Sequence, residues 1–477
     1  MRDTQRQQVL DNARYLQNVR PVDPEEINEY VEGQPHPAVV RQVLREEAVT
    51  LGLSERADGK FVPAPDGPAA VSPDSVDAFP EQYGRALEDL LVGEYGPGWP
   101  DGESGDRLRD RIRSFKERYF GGETVEYDRE TALGYAVYHL PAYYATAQYV
   151  LADLAADDRL PASPRVLDVG AGVGGPALGL HDLLPEASLV DYHAVEPSAA
   201  ADVFERLCEE TGRNFHATVH RTTAEAFDPD GTFDVVLFGN VLSELADPTA
   251  VVERYADALA EDGSIVALAP ADRETAIQLR RIERTVEREA GLTVYAPTVR
   301  LWPGETPGSD SWSFDTEPDL EVPAFQRRLD EGERQNPDET TDRQPGDGEF
   351  VNVDVQYAFG IWRTDGATAF AYRPDPDQTA KMRDADDHVT ERVNLAAVKL
   401  SNDLADEGNP LFLVGDGSQQ TDHFAVLTDE SALNRDLLRA DYGDALRFEN
   451  ALVLWNDDEG AYNVVVNAET VVDRIPP

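Results

Sequence analysis

Residues 165–180 read Arg-Val-Leu-Asp-Val-Gly-Ala-Gly-Val-Gly-Gly-Pro-Ala-Leu-Gly-Leu: a buried strand, a glycine turn and the start of a helix. Val166, Leu167 and Val169 supply the apolar run of a strand covered on both faces. Gly170, Gly172, Gly174 and Gly175 permit backbone conformations and close approaches that a Cβ would block. A turn of this kind lets a ligand lie on the backbone at a helix N-terminus. Asp168 precedes the turn. A second acid, Glu196, follows about one βαβ unit later, in Tyr192-His193-Ala194-Val195-Glu196-Pro197.

This pattern resembles the class I S-adenosylmethionine (SAM) methyltransferases. The resemblance implies a Rossmann-like α/β core. It places the methionine part of the cofactor against Gly170, Ala171, Gly172 and Gly174, and the ribose hydroxyls on Glu196, with Pro197 beside it. It gives Asp168 bonds to the loop amides and to the cofactor ammonium, puts Glu225 at the adenine, and adds Asn240 to the cofactor set. The rival is an NAD-type site, which expects Gly-x-Gly-x-x-Gly and a pyrophosphate on the helix dipole. Here the glycines stand at 170, 172 and 174 with an acid inside the strand end. A positive sulfonium suits that acid better than a phosphate does.

The order around the motif alternates. Strand Arg165–Val169 and helix Pro176–Leu184 are followed by strand Ser188–Val195, helix Ala199–Glu210, and strands Phe215–His220 and Phe233–Phe238. Helix Pro248–Leu259, strand Ser264–Ala269 and helix Glu274–Ala290 come next. Such an order implies a parallel sheet with ligands at the carboxyl ends of its strands. Val351–Trp362 reads as the last strand, after an insertion at about 292–350. The polar stretch Asp330–Gly348 within it is expected to be mobile.

At 477 residues the chain is too long for one ordinary domain. Residues 1–75 carry three helical patterns and a hairpin with Asp58-Gly59 at its turn, a winged-helix-like order. Arg41 and Arg45 on the third helix could meet nucleic acid, or the module could dock protein. Ala64–Ser75 reads as a linker. Residues 76–155 are helical, with an apolar helix pair around Pro141 that holds Tyr138, His139, Tyr143 and Tyr144. The methyltransferase core takes 156–375. Residues 390–477 read as three strands, a helix (Glu430–Ala440) and two strands, the order of a small OB-like β-barrel.

The net charge is −50, from 92 acidic and 42 basic residues, and only four of the basic ones are lysines. Acid spread this widely resembles adaptation to molar salt, as in a halophilic archaeon, where the Debye length falls to about 3 Å and self-repulsion is screened. In that setting acidity loses most of its force as an argument against an RNA partner. Cys208 is the single cysteine, which excludes an internal disulfide and cysteine-built metal clusters. No run of 18 apolar residues and no basic-then-apolar start is present, so a cytoplasmic protein without a membrane partner is expected.

Three further segments resemble the mitoribosomal small-subunit assembly methyltransferase-like proteins of the Rsm-twenty-two type. They are Tyr138-His139-Leu140-Pro141-Ala142-Tyr143-Tyr144-Ala145, Asn240-Val241-Leu242-Ser243-Glu244-Leu245 and Tyr442-Gly443-Asp444. The resemblance implies a partner in the small ribosomal subunit or its rRNA. That group holds an iron–sulfur cluster on cysteines and a Trp-Cys-His-Phe segment. Here Ala296-Pro297-Thr298 and Ser311-Trp312-Ser313-Phe314 stand instead, so no cluster is expected, and Trp302, Trp312 and Phe314 are expected to plug its space.

Methyl transfer demands positioning more than catalytic side chains. The strand end at Asn240 lacks the Pro-Pro platform used for amino methylation of bases, and no cysteine suits attack on a pyrimidine. Glu244 is the candidate general base, with Asn240 beside it. The acceptor stays open between RNA and a small molecule, as does a non-catalytic assembly role that retains SAM.

Overall fold

The computed structural model describes residues 1–71, 75–120, 127–335 and 344–476. The chain opens with α1 (Asp3–Leu16), α2 (Pro24–Tyr30), α3 (Pro37–Glu46), α4 (Ala48–Leu51), β1 (Leu53–Glu55) and β2 (Phe61–Pro63). Three longer helices follow: α5 (Glu81–Tyr95), α6 (Gly102–Phe120) and α7 (Arg129–Ala156). Next come β3 (Arg165–Val169), α8 (Gly175–Leu183), β4 (Val190–Val195), α9 (Ala200–Cys208), β5 (Phe215–His220) and β6 (Phe233–Gly239). Then follow α10 (Pro248–Ala256), β7 (Leu259–Pro270), α11 (Arg273–Glu289), β8 (Thr293–Ala296), β9 (Asp315–Glu317), α12 (Ala324–Glu331) and β10 (Val355–Arg363). The chain closes with β11 (Arg392–Lys399), β12 (Leu411–Gly415), β13 (His423–Leu427), α13 (Asp436–Arg439), β14 (Ala445–Asn456), β15 (Ala461–Val466) and β16 (Val471–Arg474).

Two compact units divide the chain: 1–236 with 318–355, and 237–317 with 356–477. In the first, the sheet order is β5-β4-β3-β6, with β3–β4 and β4–β5 parallel. In the second it is β6-β7-β10-β8, with β9 against β10. β6 gives its first residues to one unit and its last to the other. β10 runs antiparallel to both β7 and β8, so the expected all-parallel sheet is mixed.

The N-terminal module is winged-helix-like as expected. Asp23 caps α2 by accepting from Glu25 N, with Pro24 in the first turn, where its missing N–H costs nothing. Val9, Ile27, Val40, Leu44, Leu53 and Phe61 share its core. The linker reading fails for 64–71. Ala69 N bonds Leu160 O at 2.7 Å, Ala162 N bonds Gly67 O at 2.8 Å, and Ser163 Oγ bonds Pro65 O at 2.9 Å. The backbone polar groups of this Pro-rich stretch find partners on the chain just before β3 instead of in solvent. The module also meets the core at Asn214, whose side chain accepts from Glu55 N at 2.7 Å and donates to Glu55 O at 3.1 Å.

Instead of a helix pair, α7 is one helix with Pro141 inside it. Proline leaves the carbonyl four residues earlier without its helical donor. That carbonyl, on Val137, accepts from Gln326 Nε2 at 2.8 Å, and Tyr138 O accepts from Asn352 Nδ2 at 3.0 Å. Gln326 lies in the segment expected to be an insertion, and Asn352 lies just past it, in a stretch read as the last strand that here precedes β10. The insertion's stretch 330–348 was expected to be mobile; 336–343 lie outside the described residues, and the described flanks are built in. Asp330 is buried and accepts from Gly348 N at 2.8 Å and Phe350 N at 3.0 Å.

In the second unit, β11-β12-β13-β15-β14 close on themselves through β11–β14, a five-stranded barrel, and β16 adds to β14. Three strands thus follow α13 where two were expected, and the helix spans only Asp436–Arg439. The expected aromatic plug is corrected. Trp312 is 41% exposed, whereas Trp302 is buried and donates to Asp416 at 2.8 Å. Around Thr298 and Ser313 the interior is polar. Arg280 donates to Glu283 at 2.8 Å, Thr298 bonds Glu283, Arg300 donates to Glu287 at 2.9 Å, and Ser313 Oγ lies 2.7 Å from Tyr442 OH.

Candidate functional site

The first unit brings Asp168, the glycine turn and Glu196 together at the carboxyl ends of β3 and β4. The glycines at 170, 172 and 174 all have positive φ, of 75°, 54° and 95°. At Gly174 a Cβ would stand 2.8 Å from the Phe204 ring, so only glycine lets α8 start there. At Gly172 the nearest atom to such a Cβ is Gly170 O at 4.0 Å, which leaves that side of the turn open.

Glu196 is buried and grips the turn. Its Oε2 accepts from Gly172 N at 2.9 Å, and its Oε1 accepts from Ser198 N at 2.8 Å. The amides of Gly170 and Ala171 bond Val195 O at 2.9 and 3.2 Å. The loop amides expected on Asp168 are therefore taken by β4. Asp168 accepts instead from Tyr192 OH at 2.7 Å through Oδ2, and among the described residues its buried Oδ1 has no partner. Burial, with Glu196 close by, pushes the Asp168 carboxyl up to about 7 despite the tyrosine bond. Tyr192 was not among the expected residues. The signal was its parity: Asp168 registers with Ala194, so Tyr192 shares its sheet face.

The remaining expected residues are dispersed. Pro197 and Glu225 are exposed, and Ala171 is buried. In the second unit, Asn240 has φ of 60° and donates from its backbone to Leu268 O at 3.0 Å. Glu244 is exposed on a short 3-10 turn spanning Leu242–Glu244. Ser243 lines a void of about 10 Å³ against Thr275, Leu279 and Ile282 of α11. Cys208 is half-buried, and burial pushes its thiol up to about 12, so it is no nucleophile at neutral pH. Arg45 binds Glu55 through two nitrogens, and Arg41 lies 3.9 Å from the same carboxylate. Among the described residues, no group of three or more His, Cys, Asp or Glu is placed to hold a metal, and no helix is long and apolar enough to cross a membrane.

Residues 167–265, which contain this site, match the family model of a methyltransferase domain. This stretch is therefore a methyltransferase domain with a Rossmann-like core. Residues 6–57 and 383–475 match the N-terminal and C-terminal domains of a family of unknown function, DUF8157. No curated protein matches the chain. Among solved structures, it is 26% identical to the sugar N-methyltransferase KedS8 of Streptoalloteichus over 26% of this chain and 47% of that one, with a TM-score of 0.21. It is 20% identical to PH1948 of Pyrococcus horikoshii, described as an RNA methyltransferase, over 32% of this chain and 67% of that one, with a TM-score of 0.25. It is 19% identical to the SAM-bound amino pentose methyltransferase CalS10 of Micromonospora echinaspora over 32% and 55%, with a TM-score of 0.22. The chain spans 47% and 56% of the length of the first two solved structures it matches.

Proposed function

We propose that this chain is a SAM-dependent methyltransferase that acts on RNA during maturation of the small ribosomal subunit, in a cytoplasm of high salt. The residues present fit the cofactor. Among the described residues Asp168 keeps one buried carboxylate oxygen without a partner, Gly172 leaves its side of the turn open, and Glu196, just past the end of β4, accepts from the Gly172 amide. A cationic ligand meets an uncompensated acid there, which a phosphate would not tolerate. When bound, SAM supplies a methyl group on a positive sulfonium. The chain's own part is to orient: the glycine turn holds one end, and Glu196 accepts hydroxyls through its remaining lone pairs.

The RNA reading draws support from the two terminal modules, since a winged-helix-like module and a closed small barrel are folds that often meet nucleic acid. The Leu140-Pro141 and Leu242-Ser243-Glu244-Leu245 segments and their family likeness point to the small subunit in particular. The pairing of Arg41 and Arg45 with Glu55 favours protein docking at the N-terminal module, with RNA contact left to other surfaces. Sedimentation of a high-salt lysate tests the whole reading. Part of the protein is expected to travel with small-subunit particles, and RNA recovered with it is expected to be rRNA carrying methyl label from SAM. Intact protein confined to light fractions at every salt would leave a small-molecule methyltransferase in its place.

A further inference from the structure

The half-buried rings of Tyr135, His139 and Tyr143 stand at i, i+4 and i+8 on α7 and so share one face of it. Tyr135 and His139 have ring centroids 4.8 Å apart, and His139 and Tyr143 stack at 5.2 Å with 11° between planes. Phe115 of α6 and Tyr138 close on His139 at 5.5 and 5.0 Å. Both ends of this stripe are tied to the cofactor turns. A Cβ on Gly175 would stand 2.9 Å from that of Tyr143. At the other end, Tyr127 stacks edge-on to Tyr135 at 5.5 Å, and its carbonyl accepts from Ala199 N at 3.3 Å, just past Glu196. The stripe, about 12 Å long, therefore spans the space above the carboxyl ends of β3 and β4, where a sheet of this kind takes its ligands.

We infer that this stripe is the wall of the acceptor subsite and that it takes an uncharged, flat heteroaromatic ring, a nucleobase. The inference rests on the SAM reading of the adjoining turns. The cofactor's charges and hydroxyls find their complements in Asp168, Glu196 and the loop. The stripe offers ring faces and one neutral imidazole. Burial and the nearby Lys116 press the His139 imidazole down to about 3, so it presents one donor and one acceptor nitrogen rather than a charge. Lys116 donates to Tyr138 OH at 2.8 Å and lies 4.2 Å from that ring, which repels a cationic amine. The negative faces of the tyrosines repel a carboxylate or phosphate. An uncharged ring edge that pairs with an imidazole, and a π-face that stacks, are what remain.

Calorimetry on the full chain decides the matter. S-adenosylhomocysteine is titrated first. The four nucleosides, a mixed-sequence single-stranded hexaribonucleotide and glucosamine are then added separately to the complex. A nucleoside or the hexanucleotide is expected to bind and glucosamine is not. Binding by the nucleoside assigns the ring to a free metabolite, and binding by the hexanucleotide alone assigns it to RNA. Tyr135→Ala and His139→Phe are each expected to weaken that binding about tenfold and to leave the S-adenosylhomocysteine affinity unchanged. If S-adenosylhomocysteine binds and no nucleobase compound does, or if glucosamine binds in its place, the subsite assignment falls and the cofactor reading stands. If the two variants lose S-adenosylhomocysteine instead, the stripe belongs to the cofactor and the inference is overturned. If the native protein binds no S-adenosylhomocysteine, the reading beneath it fails too.

Discussion

Gln326 donates its side-chain amide to the carbonyl of Val137 at 2.8 Å, and Val137 is the residue whose helical donor would have been Pro141. The same side chain accepts from Asn352 N at 3.0 Å. A segment nearly two hundred residues downstream thus repairs the one break in α7, the helix that carries the aromatic stripe.

Gln326→Leu removes these bonds from a fully buried position. It leaves the Val137 carbonyl and the Asn352 amide without partners, so a loss of about 2–4 kcal/mol is expected for the two. Urea unfolding in high salt checks it: the midpoint falls while the slope stays constant. An unchanged midpoint would show that water serves these groups equally well.

Glu196→Ala removes the acceptor of the Gly172 and Ser198 amides as well as the one meant for the ribose. S-adenosylhomocysteine binding is expected to weaken by about 1.5–3 kcal/mol, roughly 10- to 150-fold. Calorimetry in about 2 M KCl, a salt level that screens the chain's own charge, reads it directly. Equal affinity in native protein and variant would remove Glu196 from the site.

Asp168 ties stability to pH. Its carboxyl titrates near 7 in the folded chain and near 3.9 when unfolded. Between those values the folded state binds the extra proton, so this group makes stability fall as pH rises from about 4 to 7, by at most about 1.4 kcal/mol per pH unit. The difference in unfolding free energy between native protein and Asp168→Asn is expected to move in that direction across the window. A pH-independent difference would show that the folded carboxyl titrates normally.

Arg45 has a structural job. Its fork closes on Glu55, whose side chain is only 2% exposed, although Arg45 itself is 43% exposed. Arg45→Ala leaves a buried carboxylate less compensated, and after allowance for the arginine's exposure a loss of about 1–2 kcal/mol is expected. RNA association measured alongside is expected to stay unchanged. A loss of RNA with no loss of stability would return this helix to nucleic-acid recognition.

The turn at 170–175 was legible because its glycines, the acid before it and the acid one unit later are local in sequence, and each answers a local backbone demand. The βα alternation and the winged order of the first helices were legible for the same reason. What escaped was held by distant partners. Proline inside 129–156 signalled a break, and only Gln326 and Asn352 make the helix continuous. Asp168 looked ready to receive loop amides, yet β4 claimed them through Val195 O and Glu196. Charged residues around 280–300 suggested nothing, and an apolar plug was expected where Arg280, Glu283 and Thr298 form a buried polar network. The antiparallel course of β10 has no local mark, because a strand's direction is set by the route of its connection.

The pairing of 64–71 with 160–163, together with Asn214 at Glu55, bears on how this protein can be dissected. A cut made where the composition turns Pro- and Gly-rich would strip Leu160 and Ala162 of their backbone partners and leave the Asn214 amide without Glu55 O. Those orphaned groups lie at the foot of β3 and β5, on the strands whose other ends carry the cofactor turn and its flank. A trimmed catalytic fragment would therefore be a frayed version of the enzyme, and its silence in an assay would say nothing about the whole. The first sixty residues are part of the sheet's footing, and any partner that grips them holds the strands of the glycine turn by their base.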